Sequence, residues 1–175
     1  MVYIKRAIEP LLKKRSSNSK CLLLTGARQV GKSTVLNHEY ANYHKVTFDD
    51  RLVRMQAKEE PNLFFLNNPC PLIIDEVQKE GTILEDIKRR VDESDKRGQF
   101  ILSGSQSLAL MKDVSESLAG RVSVMELAGL SLREIHKIEF NKHFIPTEKY
   151  ISAREKKIKK YKDIINDYPF FSEQK

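Results

Sequence analysis

The chain has 175 residues, of which 40% are hydrophobic and 31% are charged, a balance typical of an ordinary globular domain that can bury a core. No apolar run reaches the roughly eighteen residues of a membrane-spanning helix, and the N-terminus lacks the apolar stretch of a signal peptide, so we expect no membrane contact. The two cysteines, Cys21 and Cys70, begin strands that another strand should separate, which favours free thiols and a cytoplasmic location.

Apolar periodicity, caps and breakers predict strands that alternate with helices. In chain order we predict helix 3–14 perturbed by Pro10, a break at 16–19, strand 20–25, a helix from Ser33 to about Tyr40, strand 45–48, a helix from about Arg51 capped by Asp49-Asp50, helix 61–66, strand 71–75, a helix from a capping box at Thr82–Glu85 to about Lys96, strand 99–103, helices within 106–119, strand 122–127, and a short helix after a capping box at Ser131–Glu134. Such alternation calls for a parallel sheet with helices on both faces.

The segment from Gly26 to Ser33 matches the phosphate-loop pattern G-x-x-x-x-G-K-[ST] at every fixed position, between an apolar strand and a helix. Glycines permit the tight backbone path, and the amides with the helix N-terminus form a nest for phosphate. Lys32 would reach the β- and γ-phosphates, and the Ser33 hydroxyl would bind Mg²⁺. The alternative is an ordinary strand-to-helix turn with a solvated lysine. The candidate nucleotide-binding residues are Gly26, Ala27, Arg28, Gln29, Val30, Gly31, Lys32, Ser33 and Thr34.

A second apolar strand ends in Asp75-Glu76. In an open α/β sheet, ligands bind at the carboxyl ends of the strands. We therefore predict that Asp75 holds Mg²⁺ and that Glu76 acts as the general base for an attacking water, which favours a nucleoside triphosphatase over a small-molecule kinase. The alternative is a strand end with two solvated acids.

Two further polar positions are candidates for contact with the γ-phosphate. Ser103 ends the 99–103 strand and Ser105 follows it, and serines beside a glycine also commonly serve turns and helix caps. Arg121, which follows Gly120, is a candidate arginine for neutralising charge in the transition state; the alternative is a pair with a surface carboxylate.

The C-terminal stretch is strongly basic. The net charge of the chain is +7 and its pI is near 9.3. Apolar residues at helical spacing accompany the lysines between 149 and 168, after a linker at 144–147. We predict an amphipathic helix at 148–166 whose apolar face meets a partner, with direct binding to nucleic-acid phosphates as the alternative.

Five segments together resemble a known family: Gly26–Ser33, Leu72–Gln78, Ile101–Gln106, Ser117–Val122 and Leu130–Ile135. They are similar to those of archaeal and bacterial AAA-type ATPases in which an N-terminal ATPase domain precedes a C-terminal domain of unknown function. The resemblance implies an ATP-binding, P-loop NTPase core over residues 1–140, with predicted strand order 5-1-4-3-2. It also implies that residues 141–175 begin a region that is cut short here.

The expected function is that of a Mg²⁺-dependent ATP hydrolase that acts as a switch or motor for an adjoining domain or partner protein. Two alternatives stay open at this point. One is an ATPase anchored to nucleic acid by its basic helix, and the other is a nucleotide-binding fragment with little turnover.

Overall fold

The computed structural model describes residues 3–105, 108–137 and 147–156. The chain divides into two units, Arg6–Leu130 and a second unit that combines Met1–Lys5 with Ser131–Lys175. The predicted boundary at 140/141 lies outside the described residues and stays a prediction.

Within the larger unit, five parallel strands form one sheet in the order β2-β3-β4-β1-β5. This is the predicted order 5-1-4-3-2 counted from the other end, so the predicted α/β architecture is confirmed. The strands are β1 (Cys21–Thr25), β2 (His44–Thr47), β3 (Leu72–Asp75), β4 (Phe100–Ser103) and β5 (Val122–Glu126).

The central strands β1 and β4 are apolar except for Thr25 and Ser103 at their carboxyl ends, because helices cover both faces of a parallel sheet. Every residue of β1 and β4 is buried. Alternate residues of β1 belong to two separate cores. Cys21 and Leu23 pack in one core with Phe64 and Leu84. Leu22 and Leu24 pack in the other core with Leu12 and Leu36.

The helices of this unit are α1 (Glu9–Asn18), α2 (Lys32–Glu39), α3 (Arg51–Glu59), α4 (Pro61–Asn67), α5 (Ile83–Asp92) and α6 (Leu108–Ser117). A 3-10 turn, Val77–Lys79, follows β3. Asp50 caps α3 as predicted, since its carboxylate accepts from the amides of Leu52 and Val53.

Two helix predictions were wrong in their bounds. The first helix begins at Glu9, with Pro10 in its first turn, where proline needs no amide partner. It then continues through the serines, whose hydroxyls bond to carbonyls of the preceding turn. The fifth helix has no capping box at Thr82, because Glu85 accepts from Ser117 instead, and this helix ends at Asp92.

Both thiols are free, as predicted. Cys21 is buried on β1 and Cys70 is exposed before β3, and β4 lies between those two strands. Burial raises the pKa of the Cys21 thiol well above its usual value, so this residue behaves as a core side chain.

The second unit has two described helices, α7 (Leu132–Ile135) and α8 (148–156). The predicted capping box at the start of α7 is confirmed, with Ser131 and Glu134 bonded reciprocally. Helix α8 begins where the basic amphipathic helix was predicted, and the remainder of that prediction lies beyond the described residues. None of the helices in the described ranges is long and apolar enough to cross a membrane.

Candidate functional site

The phosphate loop leaves β1 through a backbone path that only glycine can follow. Gly26 has a φ of +149°, and a Cβ there would lie 2.3 Å from the carbonyl oxygen of Leu127. Gly31, at φ +93°, is the N-cap of α2. The loop is therefore fixed between the end of β1 and the segment that follows β5, with the amides of the first turn of α2 at its base.

Lys32 lies across this loop. Its Nζ donates to the carbonyl oxygens of Gly26 and Ala27 at 3.0 and 2.8 Å, and the residue is only 6% exposed. An ammonium group held by two loop carbonyls is already positioned beside the amides that would bind phosphate. Ala27, Arg28 and Gln29 are exposed on the outside of the loop.

Asp75 is the centre of a polar cluster at the carboxyl ends of β3 and β4. Ser33, in the first turn of α2, donates its hydroxyl to Oδ2 of Asp75 at 2.6 Å. Ser103, fully buried at the end of β4, donates to Oδ1 at 2.5 Å. The structure thus brings together the two residues predicted to hold Mg²⁺, Ser33 and Asp75. A hydroxyl and a carboxylate oxygen are the hard donors that this cation prefers.

Glu76 follows directly in a left-handed conformation, with φ +56°. The side chain of Gln78 donates through Nε2 to the carboxylate of Glu76 and to Oγ of Ser105, the latter at 3.2 Å. Among the described residues, Oε1 of Gln78 has no hydrogen-bond partner although it is buried. A Cβ at Gly104 would lie 2.4 Å from that oxygen, so a larger residue at this position would displace the Gln78 amide.

Gln78 is a site residue that sequence reasoning missed. It lies two residues beyond Glu76 in the motif that resembles the family, and a 3-10 turn returns its side chain towards Glu76 and Ser105. The two candidate serines therefore differ in position: Ser103 bonds to the predicted metal ligand, whereas Ser105 bonds through Gln78 towards the predicted base.

Arg6 is a second residue near the site that the sequence did not predict. Its buried guanidinium donates to the carbonyl oxygen of Val30 at 2.9 Å and to that of Ala128 at 2.7 Å. It therefore joins the phosphate loop to the segment after β5. Nothing in the pattern around residue 6 indicated this contact, because both partners are backbone atoms distant in sequence.

Arg121 does not reach this cluster, and its prediction as a catalytic residue of its own chain is wrong. It precedes Val122, which pairs with Cys21 at the start of β1. Arg121 therefore lies at the end of the sheet where the strands begin, opposite the phosphate loop. Its guanidinium binds both carboxylate oxygens of Asp92, at 2.5 and 2.9 Å. These bonds lower the pKa of Asp92 and raise that of Arg121. This is the surface pair that the sequence left as the alternative.

Comparison with known proteins gives a family match over most of the chain. The model of a family described as AAA domain matches residues 18–136. Uncharacterised proteins of Mycobacterium tuberculosis and Mycobacterium bovis are each 31% identical over 136 residues. The alignment covers 77% of this chain and 31% of theirs, so the chain spans about a third of the length of these relatives.

One solved structure supports the fold, and a second gives a lower score. A Walker-type ATPase of Pyrococcus abyssi superposes with a TM-score of 0.51 at 15% identity, over 75% of this chain and 55% of that one. The AMPPCP-bound DnaA of Aquifex aeolicus gives 0.49 at 16% identity, over 93% and 60% of the two chains. At such low identity the first of these supports the P-loop fold and nothing finer.

Proposed function

Since the chain belongs to the AAA domain family of P-loop ATPases, we propose that it binds ATP with Mg²⁺ and hydrolyses the terminal phosphoanhydride bond. The observation that supports this most directly is the cluster of Ser33, Asp75 and Ser103 beside the phosphate loop. Three elements distant in sequence, α2, β3 and β4, converge there. An ordinary strand-to-helix turn would have no reason to face a partly buried carboxylate.

In this proposal the loop amides and Lys32 bind the β- and γ-phosphates. Ser33 and Asp75 hold Mg²⁺, which would neutralise charge that develops on the phosphate oxygens. Glu76 accepts a proton from water as the water oxygen attacks the γ-phosphorus, and the bond to the β,γ-bridging oxygen breaks to release ADP.

The hydrolysis cycle would move an adjoining domain or a partner protein. Two contacts support this part of the proposal: Gly26 packs against Leu127, and Arg6 bonds to Ala128. A movement of the phosphate loop on nucleotide binding would therefore displace the segment that follows β5.

The first test is a titration of the chain with ATP, with and without Mg²⁺, alongside measurement of phosphate release. Lys32→Ala should weaken ATP binding about 10²-fold or more, because a buried charge-assisted contact to two phosphates is lost. Lys58→Ala, at an exposed lysine on α3, is the matched control and should bind as the wild type does. Unchanged affinity in Lys32→Ala would refute the phosphate-loop assignment.

Glu76→Gln separates binding from chemistry. The amide keeps the size of the side chain but cannot accept the proton, so ATP affinity should persist while phosphate release falls about 10²- to 10⁴-fold. Full turnover in this variant would exclude Glu76 as the base.

A further inference from the structure

A basic cleft lies where the parallel strands begin, at the end of the sheet opposite the phosphate loop. Its volume is about 580 Å³, and its walls come from the end of α1, the entries to β1, β4 and β5, and β5 itself. Four of its lining side chains are cationic, namely those of Arg15, Lys20, Arg97 and Arg121, and no lining residue is acidic.

Neighbouring acids offset this charge only in part. The carboxylate of Asp92 accepts from Arg121, and Oδ1 of Asp95 lies 3.3 Å from Nζ of Lys20. Arg97 donates to the carbonyl oxygen of Asn18, which orients its guanidinium without neutralising it. The cleft therefore keeps an excess of positive charge beside a concave surface, which favours an anionic ligand.

One wall of the cleft is the outer edge of the sheet. β5 is the last strand in the order, and among the described residues no strand pairs with its outer side. The amide of Leu127 donates to the carbonyl oxygen of Thr25 at 2.8 Å. The backbone N–H and C=O groups of every second residue of β5, in register with Leu127, therefore point towards β1. The N–H and C=O groups of Val124 and Glu126 therefore point outward, and Val124 is 44% exposed.

We propose that this cleft binds an extended acidic segment of a partner protein, which adds to β5 as a sixth strand. An extended peptide presents alternating N–H and C=O groups at the spacing of the strand edge, and its carboxylates would meet the uncompensated guanidinium groups. A nucleic-acid strand would supply phosphate acceptors to the arginines. It would leave the outward carbonyls of β5 without donors along its backbone, so the edge favours a peptide.

The probe is a fluorescein-labelled ten-residue peptide of alternating Glu and Val, followed by fluorescence anisotropy at low and at physiological salt. Matched probes are the same peptide with Ser in place of Glu, and a ten-nucleotide oligothymidylate. The acidic peptide should bind at least about ten-fold more tightly than the serine peptide, and its affinity should fall as salt rises.

Two variants test the two parts of the surface separately. Arg15→Glu with Arg97→Glu should weaken binding of the acidic peptide about ten-fold or more. The control pair Arg51→Glu with Lys58→Glu makes the same charge change on α3, which follows the strand at the far end of the sheet, and should bind normally. Val124→Pro removes one outward amide from an edge strand and should weaken the peptide but not the oligonucleotide.

Hydrogen exchange provides a measurement that does not depend on variants. The acidic peptide should slow exchange of the Val124 and Glu126 amides in the wild-type chain. The proposal is overturned if the peptide does not bind, if the oligonucleotide binds more tightly than the peptide, or if bound peptide leaves these amides unprotected.

Discussion

At the scale of single residues, Asp75 shows how one side chain links distant parts of the chain. It bonds to a serine from α2 and to another from β4, and it also accepts from the amide of Glu76 at 3.0 Å. Three bonds to one carboxylate fix its orientation, so the proposed metal ligand is held in place by the fold itself.

Gln78 is the residue through which we expect the geometry of Glu76 to be controlled. Its amide spans the Glu76 carboxylate and Ser105. Gln78→Ala should lower kcat for ATP hydrolysis by up to about 10²-fold through misplacement of the base, and should leave ATP affinity unchanged. Comparison of kcat with ATP affinity makes the test, and Lys79→Ala, at the next residue of the same turn, is the control. An equal loss of kcat in both variants would mean that the conformation of the turn, and not the Gln78 amide, positions Glu76.

At the scale of elements, the segment that precedes α1 stabilises the phosphate loop through Arg6. Arg6→Ala leaves the carbonyls of Val30 and Ala128 without this donor, so ATP affinity should fall about ten-fold. Arg6→Lys should not restore it, because one ammonium cannot reproduce the fork that spans both oxygens. The exposed neighbour Lys5 provides the control variant Lys5→Ala. Wild-type affinity in Arg6→Ala would contradict this role.

The pair between Arg121 and Asp92 connects the end of α5 to the start of β5. Because this pair lowers the pKa of Asp92 in the folded chain, its stabilising effect is present above the unfolded pKa of about 3.9 and disappears as pH falls through the folded value. Asp92→Asn should therefore unfold earlier than the wild type in urea at pH 7, and the difference should shrink below about pH 4. A difference independent of pH would assign the effect to packing.

At the scale of the whole molecule, the sequence predicted the sheet order and the convergence of Ser33 with Asp75. The phosphate loop, Asp75 and Ser103 each lie at the carboxyl end of a strand, and parallel strands place those ends together on one side of the sheet. The sequence did not predict Arg6, whose partners are backbone carbonyls, or the position of Arg121. In a parallel sheet, residues just before a strand lie at the opposite end of the sheet from residues just after a strand. The Gly120-Arg121 sequence does not indicate which of these two positions it occupies.

Ligand binding should stabilise the whole fold, because the proposed site takes residues from the loop after β1, from α2 and from the ends of β3 and β4. ATP with Mg²⁺ at one hundred times its Kd should stabilise the fold by about 2.7 kcal/mol. For a chain of this length that raises the Tm by about 5–10 °C. Glu76→Gln should retain the shift, since it removes the base and not the phosphate contacts, whereas Lys32→Ala should lose it. Thermal melts followed by circular dichroism measure all three proteins, and an equal shift in Lys32→Ala would show that ATP binds somewhere other than the phosphate loop.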